Sequence, residues 1–189
     1  MIQMTVYSLR RILWESYPVL VLCAVLSLTA GLILQSQIES IKLLPIILMM
    51  VPPINGINNN VCSILGARLA SALHMGTIEP KFGRQKVLRK NIRASWLMSL
   101  GVFLFTAVIF FGVALTSGMG LARSIIIMVA FFAASMVAIG VTMLCTIGLA
   151  FLSFARGLDP DNIVIPIVTS IGDIMGVTFL IMAMKIIGV

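Results

Sequence analysis

Charged residues fall in clusters along this chain, and between the clusters run long stretches of mostly apolar residues. The stretches cover about 16–38, 43–67, 94–117, 124–155 and 162–185, and the last of them holds a single charge, Asp173, before Lys185 at its end. A helix rises about 1.5 Å per residue, so about 20 apolar residues cross a hydrocarbon core of roughly 30 Å. The pattern therefore predicts an all-α integral membrane protein with five transmembrane helices, occupying residues 15–189. Residues 1–14 differ, because Arg10, Arg11 and Trp14 sit among apolar positions. They read as a short amphipathic helix lying in the inner interface. Residues 80–93, with Val87, Leu88 and Ile92 between cations, read the same way and would face anionic lipid. The first apolar run is too long for the core of a cleavable signal, so it is read as a retained anchor.

Composition agrees with the pattern and removes the soluble alternatives. Of 189 residues, 60% are apolar and only 10% charged, with a mean hydropathy of +1.16. A soluble domain is about 45–50% apolar and about 25% charged. A soluble globule, a disordered tail and a nucleic-acid-binding domain are thereby excluded, and no nucleic-acid partner is expected. The net charge of +7 has a direction. Arg10 and Arg11 precede the first span, and Arg68, Lys81, Arg84, Lys86, Arg89, Lys90 and Arg93 face only Glu79 in the second connection. The first and third connections hold Lys42 and Arg123 as their only cations. The positive-inside bias puts the N-terminus, the 68–93 segment and the Arg156–Asp161 loop in the cytoplasm, and five crossings put the C-terminus outside. Cys23, Cys62 and Cys145 each lie within an apolar run and read as small core residues.

Polar residues kept inside the spans mark where function concentrates. Asp173 lies roughly 18 Å along a helix from Asp161, near the bilayer midplane. A carboxylate there costs about 2.5–3.5 kcal/mol on insertion scales, so it should face protein, water or an ion. At 100° per residue, Asp159, Pro166, Thr169 and Asp173 fall within about 80° of one another on the helix. Gly172 and Gly176 beside them permit close approach by another backbone or a hydrated ion. Oxygen ligands in a row suit a hard divalent cation. A buried, protonated Asp173 serving as an interhelical hydrogen-bond donor, or a proton relay, are the other readings of the same residue.

The second span is also unusual. Pro52 and Pro53 remove two backbone donors and should interrupt the helix, and Asn55, Asn58, Asn59 and Asn60 follow closely. Asn55, Asn58 and Asn59 share one face, while Gly56, Asn60 and Ser63 form a stripe beside it. Interhelical hydrogen bonds, worth about 0.6 kcal/mol each, explain one asparagine more readily than four. The cluster is read as pore lining. The third and fourth spans look structural. Thr142, Thr146 and Ser153 recur on one face of the fourth, where they either border a pore or bond back to their own helix. His74 is given no pH or metal role.

Gly157-Leu158-Asp159-Pro160, followed by Pro166, Thr169, Asp173 and Gly176, resembles the last-helix signature of the MgtE and solute carrier 41 family of magnesium transporters and channels. The Pro52–Ala72 segment, with Asn60, Ser63 and Arg68-Leu69-Ala70, resembles that family's second helix. Two departures are visible. Asn59 and Cys62 stand where the family usually has glycines. Bacterial members carry a magnesium-sensing domain and CBS domains before the membrane part, whereas this chain reads as the transmembrane module alone. The resemblance implies a homodimer in the bilayer, with Mg²⁺ or another divalent cation as the transported ion and the pore on the twofold axis. It implies Asp173 as the central metal site, Asn60 and Thr169 touching the ion's waters, and Asp159 drawing cations to the cytoplasmic mouth. Asn59, Gly56, Ser63, Pro166, Gly172 and Gly176 would line the path or its gate. Closure without sensing domains would use local elements, residues 1–14 acting as a plug together with Asp159 and Asp161. No nucleophile–base pair or nucleotide-binding loop points to an enzyme. A proton- or sodium-coupled exchanger and a non-transporting scaffold subunit are the alternatives.

Overall fold

The computed structural model describes residues 9–37 and 45–188, and every regular element among them is helical. The described residues form five helices: α1 (Leu9–Gln35), α2 (Pro45–His74), α3 (Lys86–Thr116), α4 (Leu121–Ala155) and α5 (Pro160–Ile186). Residues 1–8 of the expected amphipathic segment lie outside the described residues. From Leu9 the chain runs as one helix through Pro18 into the first span. Among the described residues four helices are long and apolar enough to cross a membrane: α1 over Ser16–Gln35, α3, α4 and α5. At 30 residues α2 is also long enough, yet its asparagines and Arg68 leave it too polar to stand with them.

Local chemistry sets the helix ends. Gly157 adopts φ 71, a left-handed conformation that is cheap only without a Cβ. There the Leu158 amide reaches back to the Ser153 carbonyl and the Gly157 amide to Phe154, closing α4 with a Schellman turn. Asp159 then caps α5, its Oδ1 accepting from the Asp161 amide at 3.1 Å, and Pro160 follows at the first helical position. The Gly157–Pro160 motif is thus a helix stop joined to a helix start. Gly76, at φ 66, closes α2 by the same device.

Two sequence expectations change. Pro52 and Pro53 lie inside α2, which continues through them. Each removes one donor, but proline's fixed φ is itself helical, and Leu48 and Met49, whose carbonyls lose those donors, are on the exposed side. The 80–93 segment is also not one interfacial helix. It divides into a connection after His74 and the first turns of α3, where Leu88 is buried.

Within the bundle α5 packs on α1, α2 and α4, while α3 packs on α4 and α2, and α2 on α4. Phe103, Phe131, Leu65, Leu69, Ile139 and Leu180 fill the core, with the Phe110 and Phe131 rings 5.0 Å apart. The outer faces remain apolar, as at Leu28, Leu97, Phe105 and Leu144. Such faces are at home only in hydrocarbon.

Candidate functional site

Helices α2 and α5 run antiparallel, and glycines bring them together. A Cβ added at Gly66 would meet Val164 Cγ1 at 3.2 Å. One added at Gly172 would overlap Asn59 Oδ1, and one at Gly176 would overlap Asn55 Oδ1. These two glycines, one helical turn apart, are sockets for two amides one turn apart on α2. Between them Asn58 is fully buried. Its Nδ2 donates to Thr142 Oγ1 at 3.1 Å and to the Gly172 carbonyl at 3.3 Å, tying α2 to α4 and α5. Asn59 Nδ2 donates to Asp173 Oδ1 at 2.8 Å. The Asn55 and Asn59 side-chain oxygens, pressed on the glycine backbone, are buried without a hydrogen-bond partner among the described residues.

Asp173 is half-buried, as are Pro166 and Thr169 on the same face of α5. Thr169 Oγ1 donates to the Pro166 carbonyl at 2.8 Å, leaving the oxygen's lone pairs available. On α2, Gly56 and Asn60 are exposed and Ser63 is half-buried. Asn60 forms no hydrogen bond with the described residues. The structure thus splits the asparagines as the spacing implied: one face meets α4 and α5, and the stripe beside it faces outward. Thr142, Thr146 and Ser153 all bond back to their own helix, at 2.9, 2.8 and 2.7 Å. Thr142 also accepts from Asn58, a role that single-helix reasoning missed. The signal for it lay in the matched spacing of asparagines on α2 and glycines on α5.

At the far end of the same helix pair, His74 Nε2 lies 3.7 Å from Asp159 Oδ1, the oxygen that caps α5. His74 also packs edge-on against Phe154, with centroids 5.6 Å apart. His74, to which sequence reasoning assigned no pH or metal role, here lies between the end of α2 and the start of α5. Among the described residues no three His, Cys, Asp or Glu side chains come together as a metal cage. A hard cation meeting this chain would find one carboxylate with amide and hydroxyl oxygens near it, and would keep water as its remaining ligands.

The profile of the family described as MgtE, divalent cation transporter, matches residues 51–183, which include all of this site from Gly56 to Gly176. Solute carrier family 41 member 3 of Mus musculus is 28% identical over 141 residues, covering 71% of this chain and 28% of that protein. Solute carrier family 41 member 2 of Macaca fascicularis is 25% identical over 188 residues, covering 90% of this chain and 32% of that protein. The chain spans about a third of the length of the curated relatives it matches. With the match running from α2 to α5, through both helices that carry the polar site, the chain is a multi-pass membrane protein that belongs to the MgtE divalent cation transporter family.

Proposed function

We propose that this chain transports Mg²⁺ through a path lined by α2 and α5, with Asp173 as the central cation site. The observation that carries this reading is Asp173 itself: a half-buried carboxylate in the middle of an apolar helix, hydrogen-bonded to Asn59. In a homodimer whose twofold axis passes this face, two Asp173 side chains supply a charge of −2 to one Mg²⁺. Mg²⁺ dehydrates reluctantly and prefers octahedral oxygen at about 2.0–2.1 Å, so paired carboxylates holding a largely hydrated ion suit it. Asn60 and Thr169 would accept from the ion's waters. Asp159 would concentrate cations at the cytoplasmic mouth, with the N-terminus on that side. Gly56, Ser63 and Pro166 line the wall, while Gly172 and Gly176, buried against Asn59 and Asn55, set how closely α5 meets α2 behind it. The transport is physical passage, with no bond made or broken.

Reconstitution tests the reading. Proteoliposomes holding the full chain should take up Mg²⁺, and Asp173→Asn should cut uptake by about tenfold or more, since each copy loses its charged ligand. Detergent-purified Asp173→Asn should retain the oligomeric size of the parent. Unchanged uptake by the variant would remove Asp173 from the transport path.

A further inference from the structure

We propose that Asn59 is a positioning residue that occupies one oxygen of the Asp173 carboxylate and thereby biases the site toward Mg²⁺ over Ca²⁺. The proposal rests on the reading of Asp173 as the cation site. Its own foundation is the 2.8 Å hydrogen bond from Asn59 Nδ2 to Asp173 Oδ1.

The amide is held on three sides. Asn58, the residue before it, is anchored to Thr142 and to the Gly172 carbonyl, which fixes this turn of α2 against α5. The Asn59 oxygen is seated on Gly172, where only a missing Cβ leaves room. Orientation of the amide is then decided by charge. Turned over, it would set its oxygen against a carboxylate oxygen, acceptor against acceptor. As placed, its nitrogen donates to the carboxylate, and the cost is a buried Oδ1 left without a partner.

That arrangement makes Asp173 unequal at its two oxygens. Oδ1 is engaged by Asn59, while Oδ2 has no hydrogen bond with the described residues. The carboxylate therefore presents Oδ2 unhindered to an ion, keeps one lone pair of Oδ1 for it, and cannot turn freely without straining the Asn59 bond. Mg²⁺ keeps several waters and takes carboxylates one oxygen at a time, so a single oriented oxygen is sufficient for it. Ca²⁺ accepts six to eight oxygens, often with carboxylates bidentate at about 2.3–2.6 Å. To chelate Ca²⁺ through both oxygens, Asp173 would have to turn so that Oδ1 serves the ion with its second lone pair, straining the Asn59 N–H bond in a socket that leaves the amide no room to follow. The penalty falls on Ca²⁺ and spares Mg²⁺, which is discrimination by a strained hydrogen bond.

The test measures Mg²⁺ and Ca²⁺ separately on the detergent-purified full chain, reading the half-saturating concentration of each from thermal shift. Asn59→Ala frees Oδ1, and Asn59→Leu does so while keeping the side-chain volume. Both should tighten Ca²⁺ relative to Mg²⁺ by about fivefold to tenfold, the range expected for the net contribution of one hydrogen bond. Gly172→Ala displaces the same amide from the other helix and should move the ratio in the same direction. A purely structural role for Asn59 would weaken both ions alike. An unchanged ratio in the folded variants, or an equal loss of both ions, overturns the proposal. Asp173→Asn separates the two levels. If it abolishes binding of both ions while the Asn59 variants keep the parental ratio, the cation site stands and the role of Asn59 falls. If it leaves both ions bound as before, the site itself is wrong and the proposal falls with it.

Discussion

At the scale of single residues, the contact between α2 and α5 is governed by what is missing from Gly172 and Gly176. Each receives an asparagine oxygen that a methyl group would overlap. Overpacking of a close interface costs about 1–3 kcal/mol. Gly172→Ala meets two amides, those of Asn59 and Asn58, so it should sit at the upper end of that range and above Gly176→Ala. Gly101 of α3 is the control, because it is exposed and a Cβ there would meet nothing within 4 Å. Gly101→Ala should be neutral or stabilising by up to about 1 kcal/mol, from helix propensity alone. Thermal unfolding of the three variants in detergent checks the order. Loss of stability at Gly101 equal to that at Gly172 would mean that the sockets are not what holds these helices together.

At the scale of elements, the α4–α5 junction places two demands on Asp159. It caps α5 through the Asp161 amide, and it faces His74 at the end of α2. The two demands separate by substitution. Asp159→Ala loses the cap and should lower stability by about 1 kcal/mol. Asp159→Asn keeps a capping oxygen but removes the charge, so stability should stay within about 0.5 kcal/mol while Mg²⁺ uptake at low ionic strength slows. Equal uptake by parent and Asp159→Asn, measured at low salt, would confine this carboxylate to capping. Much at this scale was legible in the sequence. The gaps between charges gave five helices, because a span long enough for a bilayer tolerates few charges, and the Gly157–Pro160 motif marked a boundary. The fate of Pro52 and Pro53 was not legible, since proline forbids a hydrogen bond without forbidding the helical φ. Nor was the division of labour between Asn58 and Asn59. Neighbours on a helix differ by about 100°, and only the register of α2 against α4 and α5 sends one into a three-helix knot and the other to Asp173. Periodicity gives the faces of each helix, and packing decides which face meets which.

At the scale of the whole molecule, one chain leaves an imbalance. Most of its outer surface is apolar, at Leu28 of α1, Leu97 and Phe105 of α3 and Leu144 of α4, as hydrocarbon requires. The strip running from Gly56 and Asn60 on α2 to Pro166, Thr169 and Asp173 on α5 is polar, and it is exposed or only half-buried. Polar groups facing lipid cost several kcal/mol each when unsatisfied, so this strip requires water, a second protein surface, or both. The proposed second copy, meeting the first across a twofold axis, would supply both, since an isologous contact would set each strip against its twin with an aqueous seam between them. The arrangement predicts proximity at the strip and separation elsewhere. With Cys23, Cys62 and Cys145 replaced, Asn60→Cys should give a covalent dimer with a short thiol-specific crosslinker in membranes, while Leu97→Cys, on the lipid side of α3, should not. For the proposed stable dimer, the yield at position 60 should stay constant as the protein is diluted into excess lipid. A yield that falls with dilution to the level of the Leu97→Cys control would mean that the copies meet only by collision, and the paired-carboxylate site would lose its symmetry partner.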